Sequence, residues 1–443
     1  MKIKTSAIVY GIRYIRRFGL RTLIIRIIEK KREKDSEYQS FYLETKASLE
    51  QLEKQRMEVS HWNKKEKISI VTPLYHTPVI FLRELIESVL ESSYENWQLC
   101  FADATQDGEE NQIENIVKEY QKMDEKLTGK KSRICYKKLS QNYGIAENTN
   151  QALAMAEGDY IAFLDHDDII TPDALYEMAL AAKCAKKTGK EANMFYSDEM
   201  TMDGHKFFQP HFKPDFNQDL LNSNNYITHF LMVSRELLDQ VGGINKEYDG
   251  AQDYDFILRC TELADNVIHI PKVLYHWRVH ERSTAAGAGS KDYAIDAGKC
   301  AIESHLQRMG ENGKVVVTPY FGFYRIEYGI NTENKTEDYV LFADQSLKPL
   351  NADWKQILYA DCSRKKIGVV GGKIYDRHHR IYEAAFFEKG DWTGAACGEN
   401  VFSGLREGYG GYMHRANIQM DCDRVSEKCM LVKKEVLEQI EDY

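Results

Sequence analysis

At Lys67 the chain changes its period. Ile68-Ser69-Ile70-Val71 is a β-branched run ended by Thr72-Pro73, and the apolar positions Leu82, Leu85, Ile86, Val89 and Leu90 follow at the spacing of one helix face. Leu99-Cys100-Phe101-Ala102, a helix near 110–122, a short strand near Ile134, a helix at 145–156 and a strand from Tyr160 to Leu164 continue the alternation. Strands alternating with helices predict an α/β fold with a largely parallel sheet. Such sheets take ligands at the carboxyl ends of their strands, so polar residues there are the candidates for chemistry.

The 443 residues allow two or three domains, and 43% hydrophobic with 29% charged residues, 8 Pro and 28 Gly exclude wholesale disorder and fibrous repeats. Nine cysteines without a C-x-x-C pair read as packing thiols of a reduced, cytoplasmic chain. No stretch of ~18 residues is apolar and free of charge, so no transmembrane helix is expected. Arg13, Arg16, Arg17 and Arg21 would interrupt the apolar region of any signal peptide.

The net charge of −9 hides a split, because residues 1–34 hold eleven Lys and Arg against two Glu, a net of +9 that leaves −18 for the rest. A basic head on an acidic body excludes a nucleic-acid binder and suits an anionic membrane surface, which places the protein peripherally at the inner face of the cell membrane. Residues 1–65 read as a helical leader. Arg13, Arg16, Arg17 and Arg21 share one face and Ile8, Ile12, Ile15 and Leu23 the other, the pattern of a helix in a membrane interface. Gly19 interrupts that pattern and Arg26 falls on the apolar side, so packing on protein is the competing reading. Residues 44–57 read as a solvated helix.

Two segments are echoed in order. Asp159-Tyr160-Ile161-Ala162-Phe163-Leu164-Asp165 returns as Asp338-Tyr339-Val340-Leu341-Phe342-Ala343-Asp344, and the segment Val233 to Val241 returns as Val432 to Ile440. Residues 312–443 are therefore read as an incomplete second copy of the domain at 66–311. Asp344 is followed by Gln345 and Ser346, so this copy lacks the paired carboxylates and is expected not to catalyse.

Three constellations carry chemistry. Leu164-Asp165-His166-Asp167-Asp168 puts carboxylates directly after a buried strand, where they can grip Mg²⁺ or Mn²⁺ shared with a diphosphate; a solvated acidic turn is the plainer alternative. Gln252-Asp253-Tyr254-Asp255 opens an amphipathic segment and offers a general base. Tyr275-His276-Trp277-Arg278-Val279-His280 offers basic groups for a leaving diphosphate or a metal shell.

With Ile70-Val71-Thr72-Pro73-Leu74-Tyr75, Asn142-Tyr143-Gly144-Ile145-Ala146-Glu147-Asn148, Tyr196-Ser197-Asp198-Glu199, Phe212-Lys213-Pro214-Asp215 and Asn225-Tyr226-Ile227 in the same order, residues 67–308 resemble the family 2 glycosyltransferases of the GT-A fold. The branch is the one that builds bacterial surface polysaccharides and includes rhamnosyltransferases. The resemblance implies a UDP- or dTDP-linked sugar donor held by Thr72, Pro73, Tyr75, Asp103, Asn142, Gly144, Asn148, Asp165, Trp277 and Arg278. It implies a metal on Asp165, Asp167 and His280, Asp253 as the base of an inverting displacement, and a polysaccharide or lipid-linked acceptor. Two residues depart from the pattern: Asp103 is followed by Ala104 where a second acid is common, and Gln252 stands where many members carry Glu. A nucleotidyltransferase is disfavoured, because Thr72-Pro73-Leu74-Tyr75 replaces a Gly-rich phosphate loop. A non-catalytic scaffold that binds nucleotide sugar is the alternative of another class.

Overall fold

The computed structural model describes residues 14–32, 38–106, 112–189, 192–204, 206–280, 290–330, 336–387 and 400–440. They divide into two units: residues 38–216 with 226–301, and residues 14–32 with 217–225 and 302–440. The leader expected as one piece at 1–65 is thus shared between the units. Ile8, Ile12 and Arg13 lie outside the described residues.

The first unit begins with helices α1 (Tyr38–Thr45) and α2 (Leu49–Ser60). Its sheet and remaining helices follow as β1 (Ile68–Leu74), α3 (Val79–Leu90), β2 (Trp97–Asp103), α4 (Gln112–Thr128), β3 (Ile134–Lys138), α5 (Ile145–Leu153), β4 (Tyr160–Phe163) and β5 (Ile169–Ile170). Then come α6 (Ala174–Lys187), β6 (Met194–Asp203), β7 (Lys206–His211), β8 (Leu231–Ser234), α7 (Arg235–Val241), α8 (Gln252–Leu263) and β9 (Val267–Arg278). The strand order is β3-β2-β1-β4-β8-β6-β9-β5, with β7 against β6. β1 pairs in parallel with β2 and β4, β2 with β3, and β6 with β9.

The local chemistry explains these elements. β1 is buried at every position but Pro73, as expected of a strand covered on both faces, and Leu82, Leu85, Ile86 and Val89 turn the apolar stripe of α3 into the same core. Three strands depart from the parallel sheet: β7 runs antiparallel to β6, β5 to β9, and β8 to both β4 and β6. Tyr160 pairs with Ser234 and Ala162 with Met232, so the start of β8 lies beside the end of β4. That pairing positions the site described below.

The helix expected at 44–57 is α2, and it is not wholly solvated. A reciprocal cap between Ser48 and Gln51 starts it, Leu52 and Val59 are buried, and the Tyr176 hydroxyl donates to Glu58 Oε2 at 2.9 Å. α1 covers β7 and β9, with the Tyr42 ring 4.2 Å from that of Phe207 and its hydroxyl 3.0 Å from His276 Nε2.

In the second unit a helix at Leu20–Arg32 buries Ile25, brings Arg26 within 3.0 Å of His414 Nε2, and accepts a hydrogen bond from the Gly410 amide on Glu29 Oε1 at 2.8 Å. Arg26 on the apolar side is therefore a packing contact. Leu20, Ile24, Ile27 and Ile28 stay exposed, so the open apolar stripe is not the one expected from Ile15 and Leu23, which are both partly covered. Among the described residues no helix is long and apolar enough to cross a membrane.

The same unit carries β10 (Gly313–Val317) and β11 (Tyr324–Tyr328) as a hairpin, then β12 (Tyr339–Ala343) and β13 (Val369–Gly371). The short strands β14 (Ile374–Tyr375), β15 (Ile381–Glu383), β16 (Ala385–Phe386) and β17 (Arg424–Val425) precede β18 (Cys429–Lys433). β12, β18 and β13 form a three-stranded antiparallel sheet with β18 at its centre.

His276 is 1% exposed, its Nδ1 has no partner, and burial pushes its pKa down to about 3 from 6.5. A histidine held neutral stabilises the fold above its unfolded pKa, and that contribution is lost as pH falls from 6.5 toward 3. Equilibrium unfolding should therefore lose roughly 1 kcal/mol per pH unit below 6.5 relative to the His276→Phe variant. Equal pH slopes for parent and variant would contradict this account.

Candidate active site

The end of β4 runs into a turn closed by the Asp168 amide donating to the Asp165 carbonyl at 3.2 Å. Asp168 is fully buried, and both its oxygens are taken: Oδ2 by the Tyr275 hydroxyl at 2.6 Å and Oδ1 by the Arg278 amide at 2.7 Å. Burial, with the charges of Asp167 and Asp165, pushes its carboxyl well above the usual range. Asp167 points elsewhere, with Oδ2 at 2.8 Å from His280 Nε2, and its carbonyl accepts from Arg278 Nε at 2.6 Å. Asp167 and His280 were both expected at a metal site, and they lie within hydrogen-bond distance of one another. Arg278 is 4% exposed, lies 2.6 Å from Glu84 Oε2 and stacks its guanidinium over Phe81, so the structure seats it behind the acidic turn.

Asp165 is half-exposed, with Oδ2 3.5 Å from His229 Nε2. His229 stands two residues before β8 begins at Leu231, and its other ring nitrogen, Nδ1, lies 2.9 Å from Glu199 Oε2. Its ring stacks on that of Tyr275 at 4.5 Å and 5°. Glu199 also meets His211 Nδ1 at 3.0 Å and Lys213 Nζ at 3.6 Å, and the same Nζ donates to the carbonyls of Ile227 and His229. Burial pulls the His229 pKa down, but Asp165 and Glu199 outweigh it and hold the imidazole up at about 10. Burial pushes Glu199 up, yet Lys213, His211 and His229 bring it well below the ordinary carboxylate range.

Asp253 sits half-buried in the first turn of α8. Burial raises its pKa, Asp165 adds to that, and His229 opposes it, which puts the three groups in one electrostatic neighbourhood. Asp255, one candidate at sequence level, is taken up structurally: its Oδ2 accepts from Arg259 Nε at 2.8 Å, and that guanidinium also donates to the carbonyls of Val241 and Gly243 at 2.9 Å each. The loop leading to α8 is fixed a second time by Asn150, whose Oδ1 accepts from the Ile244 amide at 2.8 Å while its Nδ2 donates to the Ile244 carbonyl at 2.9 Å.

The donor-side candidates fall into two kinds. Tyr75 is exposed at the end of β1, with Pro73 partly exposed, and Trp277 lies with its ring 6.4 Å from that of His229. Others are committed to the protein: Asp103 accepts from Tyr136 at 2.7 Å, Lys138 at 3.1 Å and the Thr105 amide at 2.9 Å, and Thr72 is fully buried. Asn142 Oδ1 accepts from the Gly144 amide at 3.0 Å and from Asn148 Nδ2 at 2.8 Å, so these residues shape the loop before α5. Gly144 has φ 92°, and a Cβ there would lie 3.0 Å from Asp249 Oδ2, so the position requires glycine.

Residues 69–242 match the family model "Glycosyl transferase family 2". These residues form a family 2 glycosyl transferase domain. The uncharacterized protein y4gI of Sinorhizobium fredii is 37% identical over 262 residues, covering 58% of this chain and 27% of that protein. The O-antigen biosynthesis protein RfbC of Myxococcus xanthus is 34% identical over 289 residues, covering 65% and 22%, and the hyaluronan synthase of Pasteurella multocida is 25% identical over 265, covering 57% and 24%. The chain thus spans about a quarter of the length of these relatives. The mixed sheet, parallel throughout β3-β2-β1-β4, agrees with the GT-A expectation. Asp253, Trp277, Arg278 and His280 lie beyond the span matched to the glycosyl transferase domain.

His229 is the residue that sequence reasoning missed, and Glu199 was seen only as part of a motif. Both owe their place to β8 running antiparallel to β4 and β6, a long-range pairing with no local signature. A lone histidine just before a buried apolar strand was the only trace.

Lys213 is 2% exposed and supplies cationic charge to Glu199. Removing one partner of a buried ion pair leaves the other uncompensated. Lys213→Met should cost about 3–5 kcal/mol in denaturant unfolding. A loss below about 1 kcal/mol would show that His211 and His229 suffice.

Proposed function

We propose that the protein is an inverting, metal-dependent glycosyltransferase that moves a sugar from a nucleotide-sugar donor to a cell-surface polysaccharide or lipid-linked saccharide. The observation that carries this reading is Asp253, with its raised pKa, sharing one neighbourhood with Asp165 and His229. A carboxylate of raised pKa is a better proton acceptor, and Asp253 takes the proton of the acceptor hydroxyl as that oxygen attacks the anomeric carbon. Tyr75 and Trp277 bound the donor side, and Thr72, Pro73, Asp103, Asn142, Gly144 and Asn148 shape the base and ribose pocket. UDP or dTDP is the nucleotide class, following the resemblance.

The oxygen and imidazole donors suit a hard divalent ion: ligand atoms of Asp165, Asp168 and His229 lie within 4.8 Å of one another, and Asp167 with His280 stands beside them. When bound, Mg²⁺ or Mn²⁺ supplies charge that stabilises the departing diphosphate. Asp165 and Asp167 hold that ion, and Arg278, through Asp167 and Asp168, keeps the turn in place.

Residues 336–440 we read as part of a second copy that does not catalyse. What supports this is the register: Tyr339 pairs with Lys433 as Tyr160 pairs with Ser234, and Val369 pairs with Val432 as Met194 pairs with Val233. The helix Lys434–Ile440 follows β18 directly, as α7 follows β8. Asp344, the counterpart of Asp165, only closes its own turn by accepting from the Ser346 amide at 2.8 Å.

The test is a panel of nucleotide sugars with Mn²⁺, read by thermal stabilisation and by transfer. Asp253→Asn and Asp167→Asn should each lose at least a hundredfold in kcat/KM, while Asp344→Asn should keep parental activity. The acid limb of the pH profile should fall above the ordinary Asp value near 4 and depend on Asp253. Transfer unimpaired in both Asp253→Asn and Asp167→Asn would overturn this reading.

The chain's place at the inner membrane face is proposed from its basic leader and from Leu20, Ile24, Ile27 and Ile28, exposed on one helix beside Arg16, Arg17 and Arg21. Anionic liposomes should float the parent and lose most of a variant with Ile24 and Ile27 changed to Ser. Equal flotation would remove the membrane contact.

A further inference from the structure

Two of the thiols expected only to pack stand directly opposite one another. β2 and β3 run parallel, and their register pairs Cys100 with Cys135. Paired residues of neighbouring strands lie about 4.8 Å apart and point to one face, inside the roughly 4.4–6.8 Å between Cα atoms that a disulfide spans. Leu99, Phe101 and Ile134 take the other face into the main core, so alternation leaves Gln98, Cys100 and Cys135 together on the opposite side. Among the described strands β3 pairs with β2 alone, and Cys135 on this edge is partly exposed while Cys100 is fully buried.

Gln98 makes the two sulfurs unequal. Its Oε1 accepts from the Glu157 amide at 2.9 Å and from Ser69 Oγ at 2.7 Å, which fixes the amide so that Nε2 donates to Cys135 Sγ at 3.2 Å. A donor aimed at sulfur favours the thiolate over the thiol. The hydrogen bond from Cys100, joined by that from Gln98, outweighs burial and brings the Cys135 pKa down from 9.0 to about 6, with Lys131 assisting and Glu157 opposing. The same hydrogen bond and burial push the Cys100 thiol up, with Glu157 adding and Lys67 opposing. Near neutral pH Cys135 is the nucleophile and Cys100 the neighbour that keeps its proton.

We propose that Cys135 is a modification site for small-molecule disulfides, and that Cys100 resolves the adduct into a disulfide joining β2 to β3. The Cys135 thiolate attacks one sulfur of the small disulfide, forms a mixed disulfide and expels the other half as a thiolate. Cys100 then gives up its proton, and its sulfur attacks Cys135 Sγ and expels the second half. One small disulfide is reduced to two thiols while two protein thiols are oxidised to one disulfide, and the two protein protons end on the two released thiols. In a reducing compartment such a bond is transient and redox-sensing rather than structural. It ties the edge strand to β2 three residues before Asp103, which already accepts from Tyr136 and Lys138 of that strand.

Oxidised glutathione is the probe, added to the full folded chain near neutral pH and followed by acid quenching and peptide mapping in a mass spectrometer. The parent should gain a linkage between Cys100 and Cys135. Cys100→Ala should stop with glutathione on Cys135, and Cys135→Ser should show neither product. In parallel, the rate of Cys135 alkylation by iodoacetamide should reach half its plateau near pH 6 in the parent and move to higher pH in Cys100→Ala. Glutathione taken up by the exposed Cys184 and Cys300 but not by Cys135 overturns the proposal. So does an adduct on Cys135 that never resolves onto Cys100 in the parent. Should either variant fail to fold by circular dichroism, the linkage map and alkylation profile of the parent decide the question alone.

Discussion

Carboxylates crowd the corner where β4 ends, and charge compensation there shapes much of the first unit. Asp165, Asp167 and Asp168 come from one turn and Glu199 from β6, and water reaches only the first of them freely. Lys213 and His229 supply the opposing charge and His211 a hydrogen bond, while Asp168 takes the other route and is held toward its neutral form by burial. A buried charge without such partners costs several kcal/mol. The antiparallel insertion of β8 is what brings His229 to this corner.

The rest of the site hangs on that corner. Tyr275 and Arg278 come from the end of β9 and reach Asp168 from behind, so the last strand and the acidic turn set one another's position. α8 reaches the same place from another direction through Asp253. The hydrogen bonds around Asp168 and Glu199 hold the side chains of this corner in fixed positions.

The parts legible in the sequence are those with local causes. The run from Ile68 to Val71 is β-branched and uninterrupted, so it reads as a buried strand, and the 3.6-residue stripe from Leu82 to Val89 reads as the helix over it. Asp165 and Asp167 could be singled out because they follow such a strand. His229 and Glu199 could not, since their meeting depends on pairing between strands far apart in sequence. Asp253 and Asp255 looked equivalent in the sequence; Arg259, four residues after Asp255, and the carbonyls it reaches mark Asp255 as an acid that holds the loop. Tyr42 belonged to a segment that read as part of a leader, and its partner His276 gave no hint that a helix would cover it.

Asn150 fixes the loop before α8 from a distance. Its amide offers one acceptor and one donor to the two backbone groups of Ile244, behaving as a strand one residue long. A Cβ on Gly243 would come within 2.5 Å of that amide oxygen, so the neighbour is pared down to let the mimic in. Chemically the position is a lock with two opposite teeth: aspartate has no donor for the Ile244 carbonyl, and leucine has neither tooth. The loop that hands the chain to Asp253 thus takes its shape from an amide on α5, 94 residues away in sequence.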